Sequence, residues 1–399
     1  MKIRIFLFSL FVIIGCSGGG DAMGDSGASN GNGNNNGNNS GNNNGSDLDK
    51  DTDPDNFNDS NSNGNTTYYI SISDGDDNND GKSESKPFKN LGKINSITFS
   101  AGDKIKFKNG DSWKGYLKIR GSGSSGSPIV IDSYGSSNSK PVIDGHGYQA
   151  SVFLQNVEYL EINNLELKNE ASHRKSDGTL RLMDDSTRNG MDERFGILVL
   201  RFGAGKNINH IKVSNVKISN IYPTPSNQNN KHKGYGMRFE SYNDGDINYY
   251  DGITIDNVDI SLTGHYGIHI VNRMNGAQAD YYHRNIKITN SKFYDTGGSG
   301  IVMARSKNIL VENSEFKGTG STKDSRMWER GSGLWTYTCN DAVIQKNIFE
   351  NAYGPQDSFG AHIDWGCERV VVQYCLSKNN FGGFVEILGE NLNCGYRYN

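Results

Sequence analysis

The sequence predicts an all-β solenoid of parallel coils, on three observations. Five stretches share one template, apolar, any, apolar, any, Asn, any, any, apolar: "LEINNLEL" (160–167), "IKVSNVKI" (211–218), "ITIDNVDI" (253–260), "IKITNSKF" (286–293) and "ILVENSEF" (309–316). A second, Gly-led stretch recurs between and after them: "FGILVLR" (195–201), "YGMRFES" (235–241), "YGIHIVN" (266–272), "SGIVMAR" (299–305), "SGLWTYT" (332–338), "FGAHIDWGC" (359–367) and "FGGFVEILG" (381–389). The chain also carries 50 glycines and few helix signals, which makes a repeat the first thing to seek.

The chain opens with basic Lys2 and Arg4, an apolar run "IFLFSLFVII" and "GCSGGGD". That order describes a bacterial signal peptide, 1–15, ending at a cysteine. The apolar run is about half of the roughly 20 residues a membrane span needs. Cys16 is the expected lipidation site, and a bacterial outer-membrane lipoprotein, facing the periplasm or the cell surface, is the expected location. Residues 16–66 are Asn, Gly, Ser and Asp with almost nothing apolar to bury, so they cannot offset their ordering entropy and read as a tether.

Residues 67–399 read as one large domain. Successive template asparagines, Asn164, Asn215, Asn257, Asn290 and Asn313, are separated by 51, 42, 33 and 23 (215−164, 257−215, 290−257, 313−290). Asn accepts left-handed backbone geometry, which suits one recurring bend. The Gly-led stretches close to 33, 33, 27 and 22 residues apart (300−267, 333−300, 360−333, 382−360). A constant core with connections of variable length fits neither a propeller's four strands per unit nor regular Leu spacing. A coil of about 22 residues, with a Gly-led strand, a second strand, an Asn bend and a short third strand, describes a right-handed parallel β-helix. "DGDDNND" (74–80) lacks the spacing and closing Glu of an EF-hand loop and reads as a turn.

In the Gly-led strands the apolar positions point inward, so their neighbours point outward. Coil by coil, the first outward position reads Leu198, Arg238, His269, Val302, Trp335, His362 and Phe384; the second reads Leu200, Glu240, Val271, Ala304, Tyr337, Asp364 and Glu386. The next place holds Arg201, Ser241, Asn272, Arg305, Thr338, Trp365 and Ile387. This alignment sets His362 against Phe384 and Asp364 against Glu386. A solvated face has no need of Trp335, Tyr337, Trp365 and Phe384, whereas rings beside hydrogen-bonding groups suit sugar faces. Arg238 with Glu240 reads equally as an ion pair, and His269 as a satisfied histidine.

The templates and the Asn ladder resemble the pectate-lyase-like superfamily of right-handed parallel β-helices. The entry "YYISISDGDDNNDGKSESKPFKNLGKINSITFSAGDKIKFKNGDSW" (68–113) also resembles the start of secreted β-helix polysaccharidases. The resemblance implies a short helix at "KPFKNLGKIN" plugging the first coil, and a polysaccharide groove along the first sheet. Connections 171–193, 221–233, 273–283 and 319–330 would wall that groove. Neither the adjacent-Asp signatures of polygalacturonases nor the Asp-Pro-His signature of alginate epimerases occurs, so roles rest on register alone.

The favoured expectation is a polysaccharide lyase acting on a uronate-containing polymer, with an epimerase as a sub-case. Its bases and cations would come from His362, His269, Arg238 and Arg305, and Asp364, Glu386 and Glu240 could hold Ca²⁺. Trp335, Tyr337, Trp365, Phe384, Glu240 and Asn272 would bind substrate. A glycoside hydrolase using Asp364 and Glu386 is the alternative, and a non-catalytic glycan-binding lipoprotein is the third. The formal net charge of −4 argues against nucleic acid, and a monomer is expected. Cys339 and Cys367 are expected to stack closely enough for a disulfide. The chain is expected to continue beyond Asn399, because "YRYN" reads as a strand beginning with no cap after it.

Overall fold

The structure is a computed structural model that describes residues 57–171, 193–202, 207–223, 233–241, 248–273 and 279–399. These residues lie in one compact unit spanning 42–399. Cys16, most of the tether, most of connections 171–193 and 221–233, and residues 274–278 of connection 273–283 fall outside the described residues.

Among the described residues the chain winds through three parallel sheets of eleven, eleven and nine strands, and each strand pairs with the equivalent strand of the next coil. Exact in-register stacking makes ladders of like residues. In the second sheet Ile131, Ile162, Val213, Ile255, Ile288, Val311, Ile344 and Val372 pair in succession, all fully buried. In the third sheet Ile218, Ile260, Phe293, Phe316 and Phe349 do the same, with the rings of Phe293 and Phe316 stacked at 4.8 Å and those of Phe316 and Phe349 at 4.9 Å.

This aromatic ladder explains the Gly-led motif. A Cβ on Gly300 would lie 2.5 Å from Phe316 Cδ1, and one on Gly333 would lie 2.4 Å from Phe349 Cδ1 and 2.5 Å from the Gly360 carbonyl. The glycines are needed for close approach across a narrow core, not for an unusual dihedral.

The template asparagines all sit in the left-handed region, with φ of 58° at Asn164, 55° at Asn215, 51° at Asn257, 53° at Asn290 and 54° at Asn313. Several are tied coil to coil: Asn257 Nδ2 donates to Asn215 Oδ1 at 2.6 Å, and Asn290 Nδ2 to Asp256 Oδ1 at 2.8 Å. The bend continues without asparagine at Lys346 and Tyr374, with φ of 53° and 54°, so the template under-reports the coils.

The plug helix forms at Leu91–Asn95 and buries Leu91 and Ile94. The 74–80 stretch is a turn that holds it: Asp77 Oδ1 accepts the Lys89 and Asn90 N–H at 2.9 and 3.0 Å. The solenoid begins before residue 67, since Ser60–Asn61 already pairs with Ile97–Phe99.

Two expectations are corrected. The last Gly-led strand, Gly383–Ile387, is offset by two residues from the sequence alignment: His362 pairs with Glu386 and Ala361 with Val385. An even slip keeps Glu386 on the outward face. It replaces Phe384 with Glu386 on His362 and places Phe384 against Gly360, where its ring meets Phe349 and Tyr396. Phe384 is therefore packed against the core and is not part of an outward platform. Cys339 and Cys367 do stack, but as free thiols, the Cys339 N–H donating to Cys367 Sγ at 3.4 Å. In-register neighbours send parallel Cβ bonds inward at the roughly 4.8 Å strand spacing, wider than the roughly 3.8 Å Cβ separation of a disulfide.

Candidate active site

The outward side of the first sheet is not an open ladder. Tyr116, Tyr148, Phe153, Phe195, Leu198, Leu200, Tyr235, Tyr266 and Val302 form a second hydrophobic cluster there, with Trp328 and Trp335 packed on it. Polar groups in the early coils are buried with it. Arg238 and Glu240 are 1% and 0% exposed, joined through Arg238 Nε and Glu240 Oε2 at 2.9 Å, and Arg273 contacts Glu240 as well. Arg238 also reaches Glu193 at 3.4 Å. Asn272 donates to the Tyr281 carbonyl, and the Arg305 guanidinium to the Asn272 carbonyl at 3.1 Å. These groups brace the coil margins.

Register separates them from the late coils. Arg238, His269, Val302, Trp335 and His362 occupy successive strands, so Arg238 lies about four strand spacings, roughly 19 Å, from His362. The set Arg238, His269 and Glu240 does not meet His362, Asp364 and Glu386.

What does converge is a cluster around the strand Phe359–Ile363. His362 projects outward from that strand, Asp364 follows it, Asp357 lies on the turn before it, and Glu386 stands on the next coil. The nearest ligand atoms of Asp357, His362 and Glu386 lie within 4.8 Å of one another. The His362 ring stacks on Trp335 at 6.0 Å with Phe359 on another side at 6.0 Å. Asp357 is held by Arg330, whose Nε donates to Oδ2 at 2.7 Å. Arg330 ends the connection 319–330, which folds back over earlier turns: Trp328 N–H donates to Gly264 O and Arg330 N–H to Gly297 O. Sequence reading missed Asp357 and Arg330. Neither lies on a template strand, but each precedes the glycine of its strand by three residues (333−330, 360−357), the one signal that could have paired them.

Burial divides the acids. The Asp364 carboxyl is pushed up to about 6 by desolvation, against the Trp365 N–H that donates to it at 2.8 Å, with the charge of Asp357 adding. Glu386 is pushed up to about 7 by desolvation, with Asp357 and Asp364 adding. Desolvation takes His362 down to about 4. His362 Nε2 lies 3.2 Å from Glu386 Oε2, yet neutral imidazole beside a half-protonated carboxyl is not an ion pair at neutral pH, and the two atoms miss hydrogen-bond geometry. The cluster thus offers an arginine-held carboxylate, two carboxyls that take up a proton as pH falls through about 7 to 6, and a neutral imidazole. Ca²⁺ prefers an all-oxygen shell of six to eight ligands, which two carboxylates and an imidazole suit poorly.

Residues 196–395 match the family described as the right-handed beta helix region. The chain is 25% identical over 408 aligned residues to a lacto-N-biosidase of Bifidobacterium longum subsp. longum, covering 84% of this chain and 26% of that protein. It thus spans about a quarter of that relative's length. The fold is similar to the crystal structure of a GH136 lacto-N-biosidase from Eubacterium ramulus, with a TM-score of 0.69 and 22% identity over 84% of this chain and 59% of that one. The ladders, the three parallel sheets and the match over half the sequence agree: this chain belongs to the right-handed β-helix family.

Proposed function

We propose that the protein is a glycoside hydrolase whose working groups are Asp357, Asp364 and Glu386. The observation that carries the reading is the divided electrostatics of this cluster. Glycoside hydrolysis needs one carboxyl that still holds a proton to give to the leaving oxygen, and one ionised carboxylate to attack or to activate water. The Arg330 guanidinium donates to Asp357 at 2.7 Å, while burial favours the protonated forms of Asp364 and Glu386. An Asp357 oxygen within 4.8 Å of a Glu386 oxygen suits the short separation of retaining enzymes. The similarity to two lacto-N-biosidases supports the same class.

A lyase is less well supported. It needs cationic charge beside a developing enolate, but Arg238 and Arg305 are engaged within the coil margins and Arg330 is held on Asp357. His362, at about 4, carries no charge at neutral pH. A panel of oligosaccharides incubated with the full chain tests the choice. New reducing ends with retained anomeric configuration support hydrolysis, and ultraviolet-absorbing unsaturated ends overturn it. Asp364→Asn and Glu386→Gln then decide which carboxyl is the acid: the acid variant regains rate on substrates whose leaving group needs no proton.

Anchoring through acylated Cys16 belongs to the same proposal. Unchanged detergent partitioning of Cys16→Ser would remove it.

A further inference from the structure

We infer that the cavity beside Trp365 is a subsite for a neutral pyranose unit of the glycan. This rests on the hydrolase reading for its place next to the scissile bond, but not for its binding chemistry. The cavity measures about 520 Å³ and is walled by Tyr282, Tyr337, Trp365, Asn340, Glu368 and Glu390, within the range of small-molecule sites.

Trp365 is built as a platform. A side chain on Gly389 would put its Cβ 2.2 Å from Trp365 Cζ3, so one face of the indole lies on bare backbone, while 44% of the residue stays exposed. A large aromatic held against backbone on one side and open on the other presents a flat apolar surface at little ordering cost. Around it stand acceptors: the Glu390 and Glu368 carboxylates and the Asn340 amide. Arg369, the nearby cation, is taken by Asp341 and Glu368. Carboxylates accept hydrogen bonds and cannot donate them when ionised, so the fitting ligand brings hydroxyl or amide donors and no negative charge. A uronate would meet Glu368 and Glu390 as like charges.

The platform is also coupled to Asp364. The Trp365 N–H that donates to Asp364 Oδ1 belongs to the residue whose ring would carry the sugar, so one turn sets both.

The test is titration calorimetry on the full chain with neutral tetrasaccharides of hexoses and N-acetylhexosamines, with tetragalacturonate as the anionic probe. The expected result is binding of at least one neutral tetrasaccharide, about tenfold weaker in Trp365→Ala, and none of tetragalacturonate. Glu390→Gln should relax the exclusion of the anionic probe. Equal affinity of Trp365→Ala and the parent, or tighter binding of tetragalacturonate, overturns the subsite. Hydrolysis with an unchanged KM in Trp365→Ala would sink the subsite and spare the hydrolase. Binding that depends on Trp365 without turnover of any glycan would spare the subsite and sink the hydrolase.

Discussion

The early and late coils use the same outward register to opposite ends. In the early coils Leu198, Arg238, His269 and Val302 are buried, some in apolar packing and some in an ion-paired network that two carboxylates and two arginines complete. In the late coils the same column passes through Trp335 and His362 to Glu386, where acids gather with fewer counter-charges. The difference teaches that in a solenoid the backbone repeats and the chemistry does not. An outward direction is a property of the strand, whereas exposure depends on what folds over it.

The sharpest way to break this comparison is to remove charge at each end. Asp364→Asn or Asp357→Asn should cut turnover by roughly 10²–10⁴-fold with a nearly unchanged melting temperature, measured by product release and calorimetry. Arg238→Met should do the reverse. Leaving Glu240 buried without one of its partners costs about 3–5 kcal/mol, read in urea unfolding, and the expected change in kcat is small. A large activity loss without destabilisation in Arg238→Met would place the early coils in the site.

A smaller effect tests the inward face that both regions share. Gly333→Ala should cost about 1–3 kcal/mol, because its Cβ would meet Phe349 and the Gly360 carbonyl. Phe349→Leu in the same chain should recover part of that loss.

The smallest effect is the pH dependence of stability. Asp364 and Glu386 bind protons more tightly folded than unfolded, so their contribution is full below about pH 4 and is lost as pH rises through about 6 to 7. His362, lowered to about 4, has the opposite sign: it favours the fold above its unfolded value near 6.5 and loses that contribution as pH falls toward 4. Asp364→Asn with Glu386→Gln should therefore leave stability rising from pH 4 to 6.5, seen in the urea midpoint. A falling midpoint over that range would contradict the assignment.

Much of the fold was legible because its rules are local and periodic. Alternation sets the faces, asparagine marks a left-handed bend, and glycine marks where Phe316 or Phe349 comes close. The coils whose bend falls on Lys346 and Tyr374 escaped, since neighbouring coils can impose that dihedral on residues that do not favour it. The two-residue slip at Gly383–Ile387 escaped because the alignment set Gly382 on Gly360, whereas Gly383 pairs with Phe359, and an even slip leaves the alternation unchanged.

By itself, then, the sequence determined the solenoid, its inward ladders, and the outward placement of His362, Asp364 and Glu386, all of which follow from side-chain period and turn chemistry, while the plug helix was implied by resemblance. Only the tertiary structure decided which of those groups meet. Arg330 and Asp357 each precede the glycine of their strand by three residues (333−330, 360−357), so the period stacks them, but only the packed turns join them by a hydrogen bond, and His362 faces Glu386 only through the stacking of one coil on the next. The proton affinities of the site were decided there too, because they depend on how much water the surrounding coils and connections remove, and desolvation is a property of the packed assembly.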